Sequence, residues 1–231
     1  MRKKEIIENI YSQLEPDFRN FGFKWHKKTE SFLSVRPDAI FNYTMNFYTR
    51  TVLKTGEKGF LVEPFIWITN NAIENIYKDI TLLEPFEVEH DYISLGNSVA
   101  NLKANPDGIN RNRNQSLDLF VFEEKNINYV GWEIKKHFNE LAIHYFLANS
   151  SVKAIDSILN KHPYEYCVHM NNDNFRFIKG LIAAKLNHNP NFSHLMEVYT
   201  KLIYDRDMSK ICKEELSRFK AIEPMIGEPI L

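Results

Sequence analysis

Between Ile40 and Thr49 apolar and polar side chains alternate without a break: Phe41, Tyr43, Met45 and Phe47 on one side, Asn42, Thr44, Asn46 and Tyr48 on the other. A period of two belongs to a strand with one face buried and the other turned outward. The turn Arg36-Pro37-Asp38-Ala39 precedes it, and Pro pre-sets the backbone there, so Phe32, Leu33 and Val35 form the first arm of a hairpin. A third strand is expected over Phe60-Leu61-Val62 and Phe65-Ile66-Trp67-Ile68, with Pro64 at an edge or a bulge because it cannot donate to a ladder. A later strand is expected over Ser116 to Phe122, with Leu117, Leu119 and Val121 on one face.

Around this sheet the spacing changes to three and four. Ile6, Ile7, Ile10, Leu14 and Phe18 predict an N-terminal amphipathic helix that ends near Phe21-Gly22, with Gly22 as a left-handed cap. Asn70-Asn71 caps a short helix over Ala72–Lys78. The next forty residues, rich in Asn, Pro and Asp, are expected to be irregular. A long helix follows from about Asn128 to Leu147, its buried stripe formed by Ile134, Phe138, Leu141 and Tyr145. Beyond Ser150 the pattern is helical throughout, over Val152–Asn160, Phe175–Leu186, Phe192–Tyr204 and Lys210–Lys220, and Ile222 to Leu231 is a tail. The fold class is α+β: an antiparallel sheet of four to six strands packed by helices, with an all-helical C-terminal extension. Residues 1–148 would be the α+β domain and 149–231 the extension packed on it, or the two would be one continuous domain.

Composition narrows the function classes. With 44% apolar and 26% charged residues, the 231-residue chain is too apolar for disorder and long enough to bury a core without a metal or disulfide. Cys167 and Cys212 match no paired spacing used by thiolate metal sites or redox motifs, so both are expected as free thiols in a reducing compartment. No signal-peptide core and no apolar run of bilayer length is present, which makes the cytoplasm the expected location and a membrane role unexpected. A net charge of −1 argues against a protein built to coat nucleic acid. The distribution is uneven, since residues 1–60 carry 11 Lys+Arg against 7 Asp+Glu and residues 61–131 carry 5 against 11.

An N-terminal helix leading into Phe21-Gly22-Phe23-Lys24 and the basic, aromatic Trp25-His26-Lys27-Lys28, then consecutive antiparallel strands and a later helix, resembles a group of bacterial domains of unknown function. Some relatives in that group are immunity proteins that neutralise toxins passed between cells. The likeness covers residues 1–147. It implies an interaction role and carries no catalytic residue with it.

The chain has no Gly-x-Gly-x-x-Gly, no Gly-x-x-x-x-Gly-Lys, no Gly-x-Ser-x-Gly and no His-Glu-x-x-His, and only eight glycines, so nucleotide-binding enzymes of the common folds are not expected. On the long helix Glu133, His137, Glu140 and His144 fall within an arc of roughly 60°. That stripe supplies zinc or iron ligands if a second element faces it, or else it is a solvated face of Glu–His pairs. Glu84, Glu87, Glu89 and Asp91, interleaved with Phe86, Val88 and Tyr92, form a second candidate. Carboxylates with exposed aromatics imitate nucleic acid and can bind a basic protein such as a toxin, although such a run also serves as a plain solvated loop. Third, Arg111 and Arg113 in an Asn-rich loop, with Lys24, Trp25, Lys27 and Lys28, provide phosphate-pairing cations and a stacking ring.

His169 follows Cys167 too closely in an extended segment for the two side chains to face each other as a catalytic dyad, so Cys167 is expected as a buried core thiol. The expected function is therefore a cytosolic protein-binding, immunity-type protein that works by occlusion, without catalysis or cofactor. A metal-dependent hydrolase using the Glu133–His144 stripe is the alternative, and a nucleic-acid-binding module the third.

Overall fold

The structure, a computed structural model, describes residues 2–52, 55–83, 92–110 and 115–227. The chain divides into two compact units: Met1–Trp67 with Asn97–Pro106 and Asn112–Leu147, and Ile68–Gly96 with Asp107–Arg111 and Ala148–Leu231. The fold is α+β, with an open antiparallel sheet of six strands among the described residues and helices filling the C-terminal half. Strands β1 (Lys24–His26), β2 (Ser31–Val35), β3 (Ala39–Thr51), β4 (Lys58–Asn70) and β5 (Leu95–Ser98) lie in that order, and β6 (Phe120–Val121) pairs with β4.

In the first unit the alternation in β3 is realised: Phe41, Tyr43, Met45 and Phe47 are buried, and Phe32 stands opposite Tyr43 in the β2–β3 ladder. Helix α1 (Lys3–Arg19) lays Ile6, Ile7, Ile10, Tyr11, Leu14 and Phe18 into the core, and Gly22 (φ 81°) takes the chain out of it in the left-handed region. Phe18 stacks on Phe138 with ring centres 3.8 Å apart, Phe23 and Tyr43 meet the same ring edge-on, and Phe41 stacks on Phe146 at 4.9 Å. Each fully buried ring removes enough apolar surface from water to contribute about 1.5–3 kcal/mol.

Pro64 is inside the 13-residue β4, which lies between β3 and β5, and not at an outer edge of the sheet. The neighbouring ladder explains how it is tolerated. Val62 N–H donates to the Leu119 carbonyl at 2.8 Å, while Ser94 N–H donates to the Ile68 carbonyl at 2.7 Å. Pro64 shares the parity of Val62 and Ile68, so its nitrogen, which carries no hydrogen, points to the same side of β4 and falls between these two bonds. The late strand is also shorter than its alternation predicts. Asp118 adopts φ 52° and its N–H is taken by Ser116 Oγ at 3.0 Å, a local turn that confines pairing to Phe120–Val121. The stretch expected to be irregular holds β5 and a short helix α3 (Val99–Ala104), capped by Ser98 Oγ accepting from Asn101 N–H at 3.2 Å.

The second unit is built around a helix buried on almost every side. Helices α2 (Asn71–Ile80), α6 (Val152–Asn160), α8 (Phe192–Asp205) and α9 (Lys210–Ile222) all pack on α7 (Asp173–Leu186), whose residues from Arg176 to Ala184 are buried without exception. Gly180 permits the closest approach. A Cβ there would lie 2.7 Å from Asn160 Oδ1, and the Asn160 amide donates to the Gly180 carbonyl at 2.8 Å and to Asp156 Oδ1 at 2.6 Å. No helix among the described residues is long and apolar enough to cross a membrane.

Candidate functional site

The long helix of the first unit runs as α4 (Lys125–His137), a π-helical turn over Phe138–Ala142, and α5 (Ile143–Asn149). Ile143 N–H reaches back five residues to the Phe138 carbonyl, so one extra residue is accommodated in that turn. The cause lies in the core. Phe138 and Phe146 are eight positions apart, about 80° out of phase on a plain α-helix, and the extra residue brings them to within about 20°. Both then reach the aromatic cluster. The buried stripe is accordingly Ile134, Phe138, Ala142, Ile143 and Phe146, whereas Leu141 and Tyr145 are half-buried.

The same turn divides the Glu/His stripe. Glu133 and His137 precede it and approach to 3.8 Å between Oε2 and Nε2, with His137 only 5% exposed. Glu140 and His144 are exposed, His144 being rotated by about 100° from its place on an unbroken helix. Burial, and then the charge of Lys103, hold the His137 imidazole below its ordinary pKa, while Glu133 and Glu140 pull the other way. Among the described residues no three His, Cys, Asp or Glu side chains gather closely enough to hold a metal ion.

Glu84, Glu87, Glu89 and Asp91 lie outside the described residues, as do Arg111 and Arg113. In the other basic cluster Lys24, Lys27 and Lys28 are exposed, but one face of Trp25 is already occupied. Its ring stacks on Tyr11 at 5.3 Å with the planes 14° apart. Cys167 is buried, and burial raises its thiol pKa; Cys212 is buried too, its thiol pushed up to about 12 by the same cause.

A different surface of α4 carries the features of a binding site. Tyr129 and Trp132 are 58% and 55% exposed and lie three residues apart, hence side by side on one face. Lys136 Nζ is 5.5 Å from the centre of the Trp132 ring, a cation–π contact on the exposed side of the helix. Large exposed aromatics with a polar edge are the side chains that dominate binding energy at protein interfaces. A signal for them was present in the sequence, since Tyr129 and Trp132 fall outside the Ile127, Val130 and Ile134 stripe that the helix buries.

Histidine protonation fixes how stability should respond to acid. Burial lowers the His169 imidazole to about 4, and His137 is shifted in the same direction. The unfolded chain protonates its histidines near 6.5, as a rough reference. Stability contributed by neutral His169 is therefore complete above that pH and falls as the pH drops toward 4, because the unfolded chain takes up a proton that the folded one refuses. The expected loss at pH 4.5 is roughly 2–3 kcal/mol from this residue. Urea unfolding at pH 7 and pH 4.5 checks it: a His169→Gln variant should lose less on acidification than the parent, and an equal loss would remove His169 as the source.

Comparison with protein-family models, with curated proteins and with solved structures finds no match to the chain.

Proposed function

We propose that the chain is a cytosolic protein-binding protein of the immunity type, which covers a functional surface of its partner and performs no chemistry of its own. The observation that carries this reading is the exposed Tyr129–Trp132 pair, with Lys136 against the Trp132 ring, on the outer face of α4. Two large rings kept more than half exposed on a helix with a full buried stripe contribute little to packing and much to an interface. The partner is a basic protein such as a toxin. Glu84, Glu87, Glu89 and Asp91 supply the opposite charge, which speeds encounter and makes it sensitive to salt.

The experiment is a pull-down with the tagged full chain from its native cells at low salt, followed by a high-salt wash and mass spectrometry. One basic protein should be retained in near-equal amount and released by salt. With that protein purified, Tyr129→Ala/Trp132→Ala should weaken the complex by about 100-fold, a cost of order 3 kcal/mol, at an unchanged melting temperature. Neutralising the four acidic residues to Gln and Asn should slow association about tenfold and leave dissociation nearly unchanged. A partner that binds the double-Ala variant as tightly as the parent would move the interface elsewhere, and no salt-released partner in repeated trials would overturn the reading.

A further inference from the structure

A second feature of the first unit, apart from the α4 face, is a concavity made where the chain leaves α1. Gly22 is essential to its shape: at φ 81° a side chain is strained, and a Cβ there would lie 3.2 Å from Arg36 Nη2 and 3.5 Å from Ser34 Oγ. The space so left is taken by the Arg36 guanidinium, which donates from Nη2 to the Phe21 carbonyl at 3.0 Å and stands 5.9 Å from the centre of the Phe41 ring. These two contacts orient the planar group, and it pairs with no carboxylate among the described residues. To the same lining α5 contributes Ile143, His144 and Leu147, with His144 and Leu147 both exposed and three residues apart. The hollow bounded by Phe21, Gly22, Arg36, Ile143, His144 and Leu147 has a volume of about 480 Å³.

Its chemistry has two parts. Phe21 is 39% and Leu147 63% exposed, so with Ile143 they offer an apolar wall that an apolar body would remove from water. At the rim stand an oriented guanidinium and an imidazole, both of which donate to an anion, and a guanidinium matches a planar carboxylate with two parallel N–H bonds. A hollow of this size, open to solvent, with an apolar floor and two polar groups in its lining, can take a small molecule lying along it. We infer that this hollow binds a small amphipathic carboxylate, of the medium-chain fatty acid or arylalkanoate class, with the carboxylate on Arg36 and His144 and the apolar body against Phe21, Ile143 and Leu147.

The test uses the full chain and octanoate, with octanamide as the uncharged control, followed by amide resonances in two-dimensional NMR and by calorimetry. Octanoate should shift the resonances of residues 20–22 and 143–147, and octanamide should bind at least about tenfold more weakly, the value of one charge-assisted pair. Leu147→Glu, which alters an exposed side chain and repels an anion, should lower octanoate affinity about tenfold or more without moving the melting temperature, and Arg36→Gln should lower it as much, with a small loss of stability from the Phe21 and Phe41 contacts. Equal binding of octanoate and octanamide would overturn the assignment, and so would shifts scattered away from these residues or parental affinity in both variants. None of these outcomes depends on whether the α4 face binds a protein.

Discussion

Replacing Lys179 by Met should destabilise the protein by about 3–5 kcal/mol, the range for removing one partner of a fully buried ion pair. Lys179 is 0% and Glu74 1% exposed, and Nζ lies 2.8 Å from Glu74 Oε2. The ammonium also donates to the Ile93 carbonyl at 2.9 Å and sits 4.4 Å from the centre of the Tyr77 ring. The carboxylate's other oxygen accepts from Ser94 Oγ at 2.6 Å, and Ser94 Oγ in turn accepts the Asn70 N–H at 2.9 Å. One pair thus ties α2, α7 and the chain before β5. Without the lysine, a carboxylate remains in the interior with its counter-charge gone, and water cannot replace it cheaply. The same argument predicts a non-additive rescue: Glu74→Leu/Lys179→Met should be much closer to the parent than either single change, because no uncompensated charge is left. Urea unfolding of the four proteins checks both statements. A loss below about 1 kcal/mol for Lys179→Met would mean that the charge finds water or another partner.

Arg176→Lys should cost about 3 kcal/mol although it preserves the charge, because a lysine cannot reproduce a fork of planar donors. Arg176 is 1% exposed and serves the end of α6. Its Nε and Nη2 donate to the Leu159 carbonyl at 3.3 and 3.2 Å, Nη2 donates to the His162 carbonyl at 2.8 Å, and Nη1 donates to the Glu165 carbonyl. The last turn of a helix leaves carbonyls without intrahelical partners, and here one side chain from α7 collects them together with those of the following loop. Arg176→Met should cost more than Arg176→Lys, since it removes all the guanidinium donors at once and leaves the Leu159 carbonyl only the Tyr199 hydroxyl and the His162 carbonyl only the Glu165 N–H. Chemical denaturation gives the magnitudes. Hydrogen exchange locates the effect, with protection expected to fall first over residues 159–168. Equal stability of the Lys variant and the parent would show that the fork geometry is dispensable.

Much of the architecture is legible in the sequence because period and burial coincide there. The alternation in β3, the threefold and fourfold spacing of α1 and the cap at Asn70 all describe local structure that tertiary packing then uses. What escapes is of two kinds. Elements of four to six residues, such as β5 and α3, are too short to display a period, and a single left-handed residue, Asp118, ends a strand whose alternation continues on paper. Long-range docking is equally silent: α2 joins the unit of the C-terminal helices through Glu74 and Lys179, which lie 105 positions apart in the chain. At the candidate site, the four-residue spacing of Glu133 and His137 survives as a contact, because both precede the π turn. Glu140 and His144 lie within or after it, and the spacing rule that linked them to the first pair assumes a helix of constant pitch.

That turn also governs which changes in length the helix can absorb. A chain shorter by one residue between 138 and 142 would carry an ordinary α-helix with Ile134 and the ring now at 146 both still directed at the sheet, so the missing residue would leave the core untouched. A deletion a few positions earlier or later would instead swing half of the buried stripe outward. When the sequences of distant relatives are set against this one, the gap that deserves the least penalty therefore falls in the middle of a helix, where gaps are ordinarily refused, and placing it in the loops on either side would misregister every buried residue between.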